Sequence, residues 1–279
     1  MAHKSVSPAP KHDAPAPWDA LLVEAVNTPG TISAAYSAFH NYSVGNQHLA
    51  LWQCSVRGIQ PGPLATFRGW LNKGRAVRKG EHAIVLCQPR PFSRVDRDDE
   101  TGEQTTRAGV WFSYRPAWFV VSQTDGDDVE IPALPEWDAE RAVASLGVKR
   151  VPFTLTDGNT QGYSQGGVIA LNPVAADPLK TTVHELAHEI LHQSAGELFL
   201  SVVELPRNLR EVEAEAVALI VLESLGRSGT DQARGYIQHW LGTGEAIPES
   251  SAQRIFAAAD RILRAGQAVS ESDSEGSLS

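Results

Sequence analysis

Cysteine is scarce: the 279-residue chain has two, Cys54 and Cys87. They have neither metal-site spacing nor the density of a disulfide framework, so both read as small buried hydrophobes in a reducing compartment. Long apolar runs are missing as well. The longest, Ala216 to Leu222, is seven residues, against the roughly 20 a membrane span needs, so no membrane partner is expected. The opening segment carries Lys4 and Lys11 among Pro and Ala without an apolar stretch, unlike a secretory signal. A cytoplasmic location is the expectation. Acidic residues are absent from one region altogether. Residues 25–80 contain no Asp or Glu but hold Arg57, Arg68, Lys73, Arg75, Arg78 and Lys79, within a chain whose net charge is −9. Such asymmetry points to an anion-binding face on one part of the molecule.

The residues that are present speak most clearly at His184-Glu185-Leu186-Ala187-His188. Asp177-Pro178 ahead of it is a helix start, an N-cap acceptor followed by a proline whose missing N–H costs nothing at the first helical position. Leu179, Val183, Leu186 and Ile190 repeat at helical spacing and form one stripe. At about 100° per residue, His184 and His188 fall on nearly the opposite side. Two imidazoles one turn apart can ligate one ion, and Glu185 beside them can act as general base on a water.

Two histidines do not complete a catalytic zinc site; a third protein ligand is required. The source is expected in the segment from Arg210 to Leu222, which after Glu213 is apolar on almost every face and reads as a buried helix. Glu211 and Glu215 lie one turn apart on it. A metal for Glu211 and a ligand imidazole N–H for Glu215 would satisfy both carboxylates. The expected set is therefore Zn2+ on His184, His188 and Glu211, Glu185 as base, and Glu215 behind the ligands. Glu213 is expected to face solvent, and His192, one turn after His188, to be solvated or hydrogen-bonded.

Punctuation along the chain predicts four parts. Residues 1–16, rich in Pro, Ala and Ser, read as disordered. Residues 17–130 carry helices over 18–27 and 31–53, the second interrupted at Gly45-Asn46. Strands follow at 65–67, 83–87, 110–114 and 117–121, with a polar hairpin or loop over 96–104. A boundary is placed near 130, and two domains with separate cores are expected. Residues 131–267 carry a helix at 136–147, strands at 152–156 and 167–171, the two metal helices, and helices near 231–241 and 248–266. The strand at 167–171 is expected to be an edge lining a peptide cleft. Residues 268–279 form an acidic, serine-rich tail.

The stretch from Ala65 to Ile84 mixes cations, aromatics and glycines, as single-stranded nucleic acid requires: cations for phosphates, rings for stacking at roughly 1–3 kcal/mol per base. Candidate contacts are Arg68, Trp70, Lys73, Arg75, Arg78 and Lys79, with Tyr42, Asn46 and Gln53 from the preceding helix. The competing reading makes Phe67 and Trp70 core residues and the cations a solvated face.

Both halves resemble ArdC-like antirestriction proteins. The likeness rests on Tyr42-Ser43-x-x-Asn46, Gln53, Ala65-Thr66-Phe67-Arg68-x-Trp70, the run from Gly74 to Ile84, and Val120 to Gly126. In the C-terminal part it rests on Thr182 to His188 and on Glu211-x-x-Ala214-Glu215. The resemblance implies an α+β chain: a small N-terminal α+β domain binding single-stranded DNA, then a mainly helical zincin-like metallopeptidase domain with a small sheet. It also implies a zinc site at His184, His188 and Glu211, and a role on mobile DNA in evading restriction, with a protein or peptide substrate. Two other readings stand beside it: a non-enzymatic coat for single-stranded DNA with a structural zinc, and a regulatory metalloprotease cleaving a repressor.

Overall fold

The structure, a computed structural model, describes residues 16–97, 104–156, 158–193, 205–227 and 229–268. The segments read as disordered, 1–16 and 268–279, lie outside it apart from residues 16 and 268, as does the centre of the loop read at 96–104.

Three helices open the chain: α1 (Trp18–Asn27), α2 (Thr31–Phe39) and α3 (Val44–Arg57). The break in the predicted 31–53 helix falls at residues 40–43. Gly45 sits inside α3, where the Trp18 ring approaches so closely that an added Cβ would meet it at 2.8 Å. β1 (Leu64–Thr66) leads into the short α4 (Phe67–Asn72). Thr66 caps α4 by accepting from the Gly69 N–H at 3.1 Å, which is why Phe67 is helical rather than strand. After β2 (Arg75–Val77) come two long strands, β3 (Ile84–Arg97) and β4 (Gln104–Val120). The two strands predicted at 110–114 and 117–121 are thus one. The order is β1-β4-β3, antiparallel, but β1 pairs only with Trp118 to Val120. Beyond that point β3 and β4 continue as a two-stranded ribbon. β5 (Thr124–Gly126) pairs with β2.

The C-terminal half holds α5 (Ala139–Ser145), β6 (Lys149–Arg150), β7 (Gly162–Gln165), β8 (Val168–Leu171), α6 (Pro178–His188), α7 (Arg207–Ser224), α8 (Thr230–Gly242) and α9 (Glu249–Gly266). No strand forms at 152–156. In the sheet β6-β8-β7 the strand expected at the edge, β8, is central; β7, which the glycine-rich sequence disguised as a turn, is the edge.

Packing departs from two separate cores. One cluster joins Leu22 of α1, Ile32 of α2 and Leu49 of α3 to Val183 of α6, Val217 and Ile220 of α7, and Ile255 and Ile262 of α9. A smaller cluster, with Phe39, Cys54, Ile84, Leu86 and Trp118, lies under the β1-β4-β3 sheet. α7 is the axis of the larger one. Its residues from Ala216 to Leu222 are fully buried, each large aliphatic among them contributing roughly 1.5–3 kcal/mol by leaving water. This fixes Glu211, Glu213 and Glu215 on the first turns of a rigid helix beside α6.

Candidate metal centre and nucleic-acid interface

α6 begins as its sequence requires: the Asp177 carboxylate accepts from the Lys180 N–H at 2.9 Å, with Pro178 at the first helical position. Val183 and Leu186 are fully buried and Ile190 nearly so. With that stripe locked, His184 and His188 turn toward α7. Their Nε2 atoms lie 3.0 Å apart. Glu211 Oε2 stands 3.6 Å from His184 Nε2 and 3.4 Å from His188 Nε2. Ligand atoms at zinc-like bond lengths and a tetrahedral angle are separated by about 3.3 Å. These three atoms therefore have the size and donor set of a divalent-cation site.

The electrostatics agree. The two imidazoles hold Glu211 well below the usual carboxylate range, against the upward push of burial. Burial works against charge on His184, yet Glu211, Glu215 and Glu185 together raise its pKa. Three carboxylates around two imidazoles form a pocket that favours positive charge. His184 Nδ1 is buried without a hydrogen-bond partner among the described residues. The nearest carboxylate to it is Glu215, with Oε1 at 3.5 Å; its other oxygen is 3.2 Å from Lys180 Nζ. Lys180 is thus the cation that faces Glu215.

Glu185 is nearly buried, and burial first of all pushes its carboxyl above the ordinary range, partly opposed by His184, His188 and a hydrogen bond from Ser164. Ser164 belongs to β7, which crosses α6 at Gly162. A Cβ at Gly162 would stand 2.7 Å from Thr181 Cγ2 and 3.2 Å from Glu185 Cγ, so only glycine lets the strand run this close to Glu185.

Behind His188 lies an arrangement the sequence concealed. α6 passes into a π-helical turn, Glu189–Gln193, a distortion that recurs at functional sites. It brings His192 Nδ1 to 3.0 Å from His188 Nδ1 and His192 Nε2 to 2.9 Å from Glu213 Oε2. Glu213 also pairs with Arg254 of α9. Glu213 is fully buried, contrary to the expectation that it faces solvent: α7 is covered by α9 on that side. Burial alone would raise its pKa; His192, Ser251 and Arg254 reverse this and keep it low. The same turn clamps the β7–β8 hairpin, since Glu189 Oε1 accepts from Gly167 N–H at 2.6 Å and Gln193 Oε1 from Gly166 N–H at 2.7 Å. Tyr236 of α8 was another residue not foreseen. It lies within the field of Glu211 and Glu215, which add to burial in raising its phenol pKa.

The nine candidate nucleic-acid contacts are not brought to one face. Trp70 is buried, its indole N–H donating to Phe119 O at 2.8 Å. Gln53 is also buried and bonds both Val85 N and Val85 O. Asn46 does the same to Cys87 N and O. The Tyr42 hydroxyl donates to Leu64 O at 2.9 Å. Arg75 is pinned to Thr124, Gly126 and Asp127, and Arg78 pairs with Glu81 and Asp125. Of the nine, only Arg68, Lys73 and Lys79 are exposed with no ion pair to the described residues. The competing reading of this stretch is the better description of Trp70, though Phe67 is exposed. Cys54 is buried and Cys87 half-buried.

An α+β chain with a β-ribbon in its N-terminal half, and a two-histidine, one-carboxylate cluster between two helices of its C-terminal half, is the class that fold and site define. Residues 14–115 match the family model described as the N-terminal domain of anti-restriction factor ArdC. The fold of the whole is ArdC-like. Two crystal structures of the antirestriction ArdC protein from plasmid R388 are similar. The metal-free one has 21% identity over 89% of this chain and 94% of that chain, with a TM-score of 0.50. The Mn(II)-bound one has 19% identity over 89% of this chain and 96% of that chain, with a TM-score of 0.51. No curated protein matches the chain.

Proposed function

We propose that the protein is an antirestriction factor of mobile DNA that engages single-stranded DNA through its N-terminal half and hydrolyses peptide bonds at a zinc centre in its C-terminal half. The observation that carries the hydrolytic reading is the convergence of His184, His188 and Glu211 within 3.0 to 3.6 Å of one another, beside a carboxylate whose pKa is raised. His184, His188 and Glu211 would hold the ion, with Glu215 orienting His184. Mn(II) in the R388 protein supports a divalent ion, and the nitrogen-rich donor set favours zinc. A divalent cation there supplies Lewis acidity and a lowered water pKa.

The chain's own residues do the rest. Glu185, raised by burial toward the working range of a base, takes a proton at its carboxylate and returns it to the leaving amine. Ser164 fixes that carboxylate. The edge strand β7 takes an extended peptide backbone by strand addition, which places a carbonyl beside Glu185. Removing the base separates this reading from a DNA coat with a structural metal. Glu185→Gln should retain metal and single-stranded-DNA binding but lose proteolysis and antirestriction activity. Full antirestriction activity in that variant would exclude hydrolysis as the function.

A further inference from the structure

We infer that the single-stranded-DNA contact of the N-terminal half is one face of the β3–β4 ribbon, centred on Trp111, rather than the basic stretch around residues 65–80. The inference rests on the DNA-binding reading above and gives it a surface. Paired residues of an antiparallel ribbon point to the same side, and side alternates along each strand. The register pairs Phe92 with Gly109, Arg90 with Trp111, Gln88 with Ser113 and Leu86 with Arg115. All eight therefore share a face. Phe92 is 45% and Trp111 55% exposed. Gly109 offers no side chain, and the Phe92 ring lies directly on its backbone, 2.8 Å from where a Cβ would be. That leaves the outer side of the ring open. Arg90 is held beside Trp111 by donating to Ser113 Oγ at 3.3 Å. Arg115 is exposed further down.

The face thus offers two rings on a diagonal, flanked by two arginines, with no acid among these eight residues. Flat rings take bases of any sequence, and guanidinium groups take the phosphates between them. Over the same rungs the opposite face carries no arginine. It carries Pro89, Phe112 and Cys87, and its Tyr114 is stacked by Trp18 at 6.4 Å. Among the described residues no third strand pairs with the ribbon here, so these rings do not pack against an adjoining strand of the sheet. By contrast, the basic stretch spends Arg75 and Arg78 on its own acids and carbonyls and buries Trp70.

The test is fluorescence anisotropy of labelled oligo(dT), about 15 nucleotides long to fill one site, with the full-length protein at low salt. Trp111→Ala should weaken binding about tenfold or more, and Trp111→Phe, which keeps a ring, should restore most of it. Arg90→Ala should weaken binding and reduce the salt slope by about 1. Phe112→Ala, on the other face, is the control and should bind as wild type. Unchanged melting temperatures exclude unfolding as the cause. Wild-type affinity in Trp111→Ala, or equal losses in Trp111→Ala and Phe112→Ala, would overturn the ribbon-face assignment and leave DNA binding itself standing. Failure of the wild-type protein to bind would remove both.

Discussion

His192 joins a fully buried acid to a candidate metal ligand: its Nε2 is 2.9 Å from Glu213 Oε2 and its Nδ1 is 3.0 Å from His188 Nδ1. The proton positions follow from this geometry. A cation on His188 Nε2 leaves the proton of that ring on Nδ1, which then donates to His192 Nδ1. His192 in turn carries its proton on Nε2 and donates to Glu213. Every donor meets an acceptor, and the negative end is anchored by Arg254. Such outer partners fix the ligand's tautomer and orientation.

Removing either link should therefore loosen the metal. Glu213→Gln and His192→Ala should each weaken metal affinity about 10- to 100-fold, measured by competition with a chromophoric chelator. Glu213→Gln preserves shape, so its loss of affinity would not come from a cavity. Unaltered affinity in both variants would reduce this chain to core packing.

Glu211 should be the decisive ligand from α7. The purified protein should carry about one zinc per chain by elemental analysis, and Glu211→Ala should carry far less. The variant also removes the anion that faces both imidazoles in the metal-free protein. The two rings would then be left 3.0 Å apart with less to offset their mutual repulsion when protonated. Normal zinc content in Glu211→Ala would place the third ligand elsewhere.

These features differ in how plainly the sequence displayed them. Asp177-Pro178, the stripe from Leu179 to Ile190 and the spacing of His184 and His188 are local properties of one helix, and α6 follows them. The bounds of α8 and α9 were equally legible, each falling within one residue of the predicted 231–241 and 248–266. Glu213 was misplaced because its environment depends on α9, some forty residues on, packing over α7. His192 was read as solvated or hydrogen-bonded and is hydrogen-bonded; its partners were hidden because a regular helix was assumed where a π turn occurs. β7 was missed because Gly162 and its glycine-rich approach read as a turn. It is a strand only because α6 must pass close beneath it. The shared core of α1–α3 with α6–α9 is a tertiary fact with no local signature.

His48 should make the fold acid-sensitive. It is enclosed on α3 against the Phe256 ring at 5.2 Å, and its Nε2 has no hydrogen-bond partner among the described residues. Burial pushes its imidazole down from 6.5 to about 4. The unfolded chain thus binds a proton there at a pH where the folded chain does not. Stability contributed by neutral His48 is complete above about 6.5 and is lost progressively as pH falls to about 4. Its size is of the order of 3 kcal/mol. His48→Leu should flatten the dependence of urea midpoint on pH across that window. An unchanged slope would assign the acid sensitivity to other groups.

Asn46 and Gln53 give the sharpest separation between folding and binding. β3 is an edge strand of its sheet, and its outward N–H and C=O groups need partners where α3 covers them. The Asn46 amide bonds Cys87 N–H at 2.8 Å and Cys87 O at 2.9 Å; the Gln53 amide bonds Val85 N–H at 2.9 Å and Val85 O at 2.8 Å. Two side chains on one helix thus imitate a fourth strand. Asn46→Leu or Gln53→Leu would strand a buried donor and acceptor, costing about 1–3 kcal/mol for each unsatisfied group. Denaturant midpoints should fall accordingly, while the affinity of the remaining folded protein for oligo(dT) stays near wild type. A variant with normal stability and weakened DNA binding would return these two amides to the nucleic-acid surface.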